Sequence, residues 1–334
     1  MKIKYYLAFL TFVLNMILSF SGCREYKTTT KINSDGSCVR TVIVNDKSIK
    51  PDSIVFPIPA DKSWKIERTK AKDDTTQTVY TATKHFDDVN NINNEYTNKE
   101  KIGLHVNLDK KFRWFYTYFN YDEVYHSYFP FRNILLKDFL TPHEYELYLK
   151  NDTTKTLKKR LDSYEEENYF EYFFDEFVIL LGKNKIADLS PDFVASKKSI
   201  IKEHISEYGD KTEALMKYLE KVLGTKSVWK LRIGIDNIVK SILEKMNHFI
   251  AANDGSYKSE VTMPGIILNT NAKTIEGNKV VWEFDADRFC YEDFTMTVQS
   301  RVVNVWTFIV SGVIVLVVII LLLLPRMRRR KIIM

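Results

Sequence analysis

The chain has 334 residues, 49 Lys and Arg against 43 Asp and Glu, and a formal net charge of +6. Residues 1–23 and the last 30 residues together hold seven basic residues and no acidic one, so the segment between them has 42 basic and 43 acidic residues. A nucleic-acid-binding protein needs a basic stripe on the folded domain itself. We therefore exclude nucleic acid as a partner.

Residues 1–22 have the pattern of a secretory signal: two lysines, an apolar run from Tyr5 to Phe20, and small residues before a cysteine. The sequence Phe20-Ser21-Gly22-Cys23 resembles the lipobox of bacterial lipoproteins, although Phe20 stands where that motif usually has Leu. The resemblance implies that Cys23 becomes the acylated first residue of the mature chain. The alternative is an uncleaved signal anchor with an incidental cysteine.

Residues 23–120 are expected to form the N-terminal half of a β domain. Partly alternating residues predict two hairpins, with strands at Glu25–Asn33, Cys38–Asn45, Ser63–Lys70 and Thr76–Lys84. Ser34-Asp35-Gly36-Ser37 is the turn of the first hairpin, because Gly adopts a positive φ at little cost. Asp87–Tyr96 is short and Asn-rich and predicts a brief helix or a loop.

A third hairpin is predicted around Asp109-Lys110, between strands at Ile102–Leu108 and Lys111–Phe119. Side chains two residues apart in a strand lie on the same face. The second strand would therefore present four aromatic side chains on one face: Phe112, Trp114, Tyr116 and Tyr118.

Residues 121–255 predict a large helical insertion. Thr141-Pro142-His143-Glu144 is a helix start, with Thr as N-cap, Pro at the first helical position and Glu completing a capping box. Ser163–Gly182 has aromatic and aliphatic residues three to four positions apart, as in an amphipathic helix. Further helices are predicted from Ser190-Pro191, over Asp210–Leu223 and over Ser227–Ala251, with Gly224 as a stop signal.

Residues 256–303 return to β character and are expected to complete the β domain. The predicted strands are Tyr257–Met263, Ile266–Leu268, Lys279–Asp285 and Phe294–Val302. The fold class is therefore α+β: an antiparallel β-rich domain interrupted by a large helical insertion. If both ends of the chain attach to one membrane, the first and last strands are expected to be neighbours in one sheet.

Residues 304–324 predict a transmembrane helix. Val305–Leu324 is a 20-residue run without a charge, long enough to cross the bilayer core. The basic tail at residues 325–334 marks the cytoplasmic side by the positive-inside rule. We therefore expect a single-pass, lipid-anchored protein of the bacterial cytoplasmic membrane. Most of the chain would lie outside the cytoplasm, and its C-terminus would lie inside.

The three cysteines suit an exported chain. If Cys23 is acylated, Cys38 and Cys290 remain as an even pair in a disulfide-permissive compartment. A disulfide between them is possible. The alternative is two small buried thiols, because free Cys is often interior.

Two flanks of the chain resemble LppM-like lipoproteins, which also combine a lipobox with a C-terminal membrane helix. The first flank is Thr28–Ser37, and the second has Met263–Ile267, Asn269–Ala272 and Gly277–Trp282 in the same order. The resemblance covers the two β flanks and not the helical middle. It implies an envelope lipoprotein whose domain binds lipid or glycolipid, and it carries over no catalytic residue.

The sequence offers no recognisable catalytic, cofactor-binding or metal site. The six histidines are widely spaced, and neither a nucleophile elbow nor a Gly-rich phosphate loop occurs. Aromatic residues make up 13% of the chain. They suggest a candidate apolar binding face made of Trp114, Tyr116, Tyr118, Phe170, Phe173, Phe174 and Phe177. The alternative is that these residues form the core between the helices and the sheet.

We therefore expect a non-enzymatic extracytoplasmic module without cofactor, tethered to the bilayer at both ends. Its expected ligand is a lipid or a glycolipid close to the membrane. The first alternative is a scaffold that binds another envelope protein, and the second is an envelope enzyme of an unrecognised kind.

Overall fold

The structure is a computed structural model that describes residues 25–46, 62–70, 78–95, 103–150, 154–205, 208, 211–252 and 255–330. The predicted signal peptide and Cys23 lie outside the described residues. The described strands are β1 (Glu25–Ile32), β2 (Cys38–Asp46), β3 (Lys65–Lys70), β4 (Thr78–Phe86), β5 (Leu104–Phe112), β6 (Tyr116–Tyr125), β7 (Ser256–Thr262), β8 (Ile266–Thr270), β9 (Thr274–Glu276), β10 (Lys279–Asp285) and β11 (Phe294–Val303).

The described α-helices are α1 (Leu136–Phe139), α2 (Pro142–Leu149), α3 (Lys155–Asn184), α4 (Pro191–Ser196), α5 (Lys198–Ile205), α6 (Thr212–Leu223), α7 (Arg232–Ala252) and α8 (Val305–Arg330). Three short 3₁₀ helices cover Val89–Glu95, Lys226–Leu231 and Ala286–Phe289. The α+β class, the antiparallel-rich sheets and the helical insertion are confirmed.

The chain divides into two compact units. Of the described residues, those within 25–126, 255–285 and 293–330 form the β unit, and those within 127–252 and 286–292 form the helical unit. The insertion was predicted to cover residues 121–255. Instead, β6 continues to Tyr125, and residues 286–292, expected within the β domain, belong to the helical unit.

The β unit has two sheets. The larger has the order β3-β4-β2-β1-β7-β10-β9 and the smaller has the order β5-β6-β11-β8. Within the described sheets, β1 and β7 are parallel and the other neighbours are antiparallel. A parallel pair needs a long crossover connection, and the helical insertion lies in the chain that connects β1 to β7.

The expectation that the first and last strands are neighbours is wrong. β1 pairs with β2 and β7, whereas β11 pairs with β6 and β8 in the other sheet. Common attachment to a membrane constrains where two strands leave a domain. It does not constrain which strands exchange hydrogen bonds.

The third hairpin turns later than predicted. Asp109 and Lys110 lie inside β5, opposite Asn120 and Phe119, and the chain reverses at residues 113–115. β5 is an edge strand of its sheet, where charged side chains are well tolerated. The Asp-Lys pair was therefore an edge-strand feature and not a turn signal.

The helical unit follows its sequence signals closely. At the start of α2, the Thr141 hydroxyl accepts from the Glu144 amide and the Glu144 carboxylate accepts from the Thr141 amide, which completes the predicted capping box. α6 ends at Gly224 with φ +70°, as expected for a left-handed C-cap. The helix predicted at Ser163–Gly182 begins earlier, because Thr154 caps α3.

Candidate membrane-proximal site

The small sheet leads directly into the predicted membrane helix. β11 ends at Val303, and α8 begins at Val305, so Asn304 is the residue between strand and helix. Residues 305–323 of α8 are long and apolar enough to cross a membrane, and 6% of this stretch is buried by the chain itself. The part of the small sheet next to α8 is therefore the candidate membrane-proximal site.

The turn between β5 and β6 lies against the first two turns of α8. We call residues 112–115 the hairpin tip. The Trp114 indole N–H donates to the Ser311 hydroxyl at 2.9 Å. The Trp114 ring meets the Trp306 ring edge-on at 5.7 Å, and Phe112 stacks on Trp306 at 6.2 Å. Phe115 contacts Phe308 at 4.7 Å between ring centroids.

Asn304 joins the hairpin tip to the helix. Its side-chain N–H₂ donates to the carbonyl oxygens of Arg113 at 2.9 Å and Trp114 at 3.3 Å. Its backbone N–H donates to the carbonyl oxygen of Phe115 at 2.9 Å. The Asn304 side-chain oxygen accepts from the Thr117 hydroxyl at 2.9 Å. One residue therefore provides donors to all three carbonyl groups of residues 113–115.

The small sheet has one buried face and one accessible face. On β6 the buried side chains are Thr117, Phe119, Tyr121, Glu123 and Tyr125. We call the opposite side the outward face. It is formed by Tyr116, Tyr118, Asn120 and Asp122 of β6, Thr297, Gln299 and Arg301 of β11, Asn107, Asp109 and Lys111 of β5, and Ile266 and Asn269 of β8.

The outward face changes character with distance from α8. Near α8, one row of residues crosses β5, β6 and β11. In this row Tyr118 lies between Lys111 and Arg301. The next row places Asn120 opposite Gln299, and the Gln299 amide donates to the Asn120 side-chain oxygen at 2.7 Å. Cationic and aromatic groups therefore lie closest to the helix, and amide groups lie beyond them.

A shallow depression of about 200 Å³ opens on the amide part of the outward face. Its lining is mostly polar and consists of Asn120, Asp122, Asn269, Thr297, Val298 and Gln299. Amide and carboxylate side chains supply both donors and acceptors. This set suits a ligand with several hydroxyl groups.

Arg301 presents a cation beside this depression. Its guanidinium lies 4.7 Å from the centre of the Tyr116 ring. Within the part of the chain that the structure describes, no acidic side chain forms an ion pair with Arg301. Its charge is therefore available to an anionic ligand, and the aromatic ring positions it.

The residues of the predicted apolar binding face have different environments. Trp114 is in the hairpin tip, and Tyr116 and Tyr118 are on the outward face, all in the β unit. Phe170, Phe173, Phe174 and Phe177 are buried in a core cluster of the helical unit. The two groups belong to different units, and the four phenylalanines present no accessible apolar surface.

Cys38 and Cys290 are both free and buried, so the structure contains no disulfide between them. Cys38 is in the β unit, while Cys290 is in the helical unit. Burial raises the pKa of the Cys38 thiol to about 11. Burial also raises the pKa of the Cys290 thiol, and the nearby Glu165 carboxylate acts in the same direction.

A buried polar cluster in the β unit is closed to ligands. Arg40 of β2 forms an ion pair with Glu123 of β6 at 2.7 Å, and both side chains are 0% exposed. Glu123 also accepts from the Tyr121 hydroxyl at 2.6 Å. Burial raises the pKa of Tyr121 well above its usual value. Among the described residues, no three His, Cys, Asp or Glu side chains are grouped so as to hold a metal.

Sequence reasoning missed the residues that organise this site. The site residues Asn304, Arg301 and Gln299 contact residues more than 170 positions away in the chain. For example, Gln299 donates a hydrogen bond to Asn120, and Asn304 donates one to Arg113. The sequence predicts a strand at Phe294–Val302, but not which strand pairs with it. The usable signal was Asn304, a polar residue immediately before the apolar run.

No protein-family model matches the sequence, and no curated protein matches it. Among solved structures, the chain is similar to the folded domain of the LppM protein of Mycobacterium tuberculosis, determined by NMR. The similarity has a TM-score of 0.33 and 10% sequence identity, and it covers 85% of this chain and 92% of that domain. It is a distant similarity of fold.

Proposed function

We propose that this chain is a membrane-anchored envelope lipoprotein whose β unit binds lipid or glycolipid headgroups without catalysing a reaction. The observation that carries the proposal is the position of Arg301 on the outward face, two residues before the end of β11. A strand rises about 3.3 Å per residue, so the Arg301 backbone lies within about 13 Å of the start of the membrane helix at Val305. From there its long side chain can extend to the lipid headgroups.

The chemistry of the outward face is consistent with such a ligand. A guanidinium group forms strong paired hydrogen bonds with phosphate oxygens, and Arg301 has a free charge beside an aromatic ring. Sugar hydroxyls need both donors and acceptors, which Asn120, Asp122 and Gln299 provide in the adjoining depression. A phosphate next to a sugar or another polyol is the headgroup that fits both parts.

The placement in the cell belongs to the same proposal. The basic residues from Arg326 to Lys331, at the C-terminal end of α8, favour a cytoplasmic C-terminus, which leaves the β unit on the extracytoplasmic side of the bacterial cytoplasmic membrane. Acylation of Cys23 would attach the other end of the chain to the same bilayer. An acyl chain adds little retention to a spanning helix, so its role would be to hold the β unit close to the headgroups.

Native mass spectrometry of the detergent-extracted full chain tests the proposal. Phosphatidylglycerol and a diglucosyl diacylglycerol are added in turn, and the bound fraction is measured. We expect Arg301→Gln to weaken phosphatidylglycerol binding about tenfold, because a hydrogen bond to a charged group contributes about 1.5 kcal/mol. Asn120→Ala is expected to weaken glycolipid binding more than phosphatidylglycerol binding, because the glycolipid has no phosphate for Arg301 and depends on the depression alone.

Arg68→Gln is the matched control. Arg68 lies on β3 in the other sheet, is exposed, and has its guanidinium 5.9 Å from the centre of the Tyr80 ring. It therefore shares the chemistry of Arg301 but not its position. Equal lipid binding by the Arg301 and Arg68 variants would contradict the proposal. A lipid-free protein that co-purifies with other envelope proteins would favour the scaffold alternative.

A further inference from the structure

We infer that the hairpin tip, residues 112–115, is embedded in the extracytoplasmic half of the bilayer, beside α8. The partner of this surface is lipid: the aromatic side chains of the tip contact the glycerol and upper acyl region. The inference rests on the proposed function only for the membrane span. It does not depend on headgroup binding by the outward face.

The depth of the tip follows from the length of the apolar helix. Arg326 is the first charged residue after β11 and marks the cytoplasmic boundary. An α-helix rises 1.5 Å per residue, so it needs about 20 residues to cross a hydrocarbon core of about 30 Å. Counting back from Arg326 places the outer boundary at about Val305. A tilted helix needs more residues and places the boundary no later.

The hairpin tip contacts residues of α8 that lie below the outer boundary of the bilayer. Ser311 is six residues after Val305, which corresponds to about 9 Å below the outer boundary. The Trp114 indole donates a hydrogen bond to Ser311, and Phe115 packs on Phe308. Because side chains in contact share a depth, the tip aromatics lie within the membrane.

The surface of the tip is suited to lipid. Phe112 and Trp114 are 55% and 45% exposed to solvent even though both contact α8. Large exposed aromatic side chains are unfavourable in water. Trp and Tyr are enriched at the membrane interface, where their amphipathic rings are stabilised. Arg113 also fits, because a long basic side chain at this level extends toward the phosphates.

The carbonyl oxygens of residues 113–115 in the tip are all paired within the chain. Within a bilayer, an unpaired backbone carbonyl costs several kcal/mol. Asn304 supplies a donor to each carbonyl group of Arg113, Trp114 and Phe115. A turn that faces water has no need of this arrangement, since water would satisfy the same oxygens. The arrangement is a second observation that points to lipid, independent of the aromatic side chains.

Depth-dependent fluorescence quenching tests the inference. The full chain is reconstituted into phosphatidylcholine vesicles with a nitrobenzoxadiazole label on a single introduced cysteine. Phe115→Cys and Phe112→Cys report on the tip, Val315→Cys reports on the spanning helix, and His105→Cys is the control. The parent chain, which contains Cys23, Cys38 and Cys290, is labelled in parallel as the background.

His105 is an exposed residue on the same strand as Phe112, seven positions earlier, or about 23 Å along β5. With a nitroxide quencher on the lipid acyl chain, we expect the labels at positions 112, 115 and 315 to lose most of their fluorescence. The label at position 105 is expected to lose almost none. That result supports insertion of the tip.

Two other results overturn the inference in distinguishable ways. Quenching at position 315 without quenching at positions 112 and 115 would show that the helix spans the bilayer while the tip remains in water. The absence of quenching at position 315 would remove the membrane span, and with it both the tip insertion and the proposed anchoring. Equal quenching at positions 105 and 115 would show contact of the whole strand, contrary to the inference.

Discussion

Gly265 holds the edge strand β8 against β11. It has φ +79°, and a Cβ atom at this position would lie 2.1 Å from the carbonyl oxygen of Arg301. The Ser300 hydroxyl donates to the carbonyl oxygen of Pro264 at 2.8 Å. Pro264 and Gly265 are therefore in direct contact with β11, and this contact positions β8, which contributes Ile266 and Asn269 to the outward face.

We predict that Gly265→Ala lowers the free energy of unfolding by more than about 3 kcal/mol, because backbone strain and a backbone clash act together. Chemical denaturation of the detergent-solubilised full chain measures the change. Gly277→Ala is the control: Gly277 has φ +66°, but a Cβ atom there would meet nothing within 4 Å. Its expected cost is about 1 kcal/mol. Equal losses in the two variants would rule out the clash.

Among structural elements, β2 and β6 show how the two sheets are held together. Arg40 on β2 and Glu123 on β6 form their ion pair with both side chains fully buried. Arg40 also donates to the Thr30 hydroxyl of β1 at 3.0 Å. Desolvation makes a buried ion pair a poor source of stability, but it makes the loss of one partner costly. The pair is therefore a weak source of stability in itself, but the loss of either partner is expected to be costly.

We predict that Glu123→Gln lowers the free energy of unfolding by about 3–5 kcal/mol, because it leaves the Arg40 charge buried without its counter-charge. Adding Arg40→Met to Glu123→Gln is expected to restore much of that loss. Equilibrium unfolding in denaturant measures both variants. The exposed pair Lys65–Glu67 is the control, and Glu67→Gln is expected to change stability by less than about 0.5 kcal/mol. Additive losses in the double variant would contradict this explanation.

Elements defined by local signals could be predicted from the sequence. The capping box at Thr141, the stop at Gly224 and the apolar run from Val305 each depend on residues within a few positions of one another. Strand pairing does not depend on such nearby residues. Nothing near Glu25 indicates that it pairs with Ser256 across the helical insertion.

The candidate site was predictable only in part, for the same reason. Trp114, Tyr116 and Tyr118 were identified from their aromatic character, but the turn was placed at Asp109-Lys110, which assigned Trp114 to a strand. The four phenylalanines of α3 are also aromatic, yet their spacing of three to four residues directs them into a helical core. Composition did not distinguish a surface from a core.

For the molecule as a whole, the two units are interleaved along the chain. Residues 286–292 leave the β unit between β10 and β11 and join the helical unit. There the Tyr291 ring contacts the rings of Phe129 at 5.2 Å and Tyr164 at 5.4 Å, and its hydroxyl donates to Glu165. Phe294, three residues later, contacts Phe284 in the β unit at 4.6 Å.

We predict that Tyr291→Ala destabilises the helical unit by about 3 kcal/mol, because a large aromatic contact is lost. Hydrogen–deuterium exchange is expected to show faster exchange in α3. Phe294→Ala is the matched control and is expected to accelerate exchange in β6 and β10. If both variants accelerate exchange in the same elements, the division into two units is wrong at this point of the chain.

Asn304 is the single residue between the last strand and the last helix, and the hairpin tip packs on the helix beyond it. The junction therefore contains no linker that would let α8 rotate independently of the small sheet. If a neighbouring helix rotates α8 about its axis in the proposed membrane span, Arg301 and Tyr118 turn with it. A torque applied to α8 would then reorient the proposed binding face, without any loop having to open.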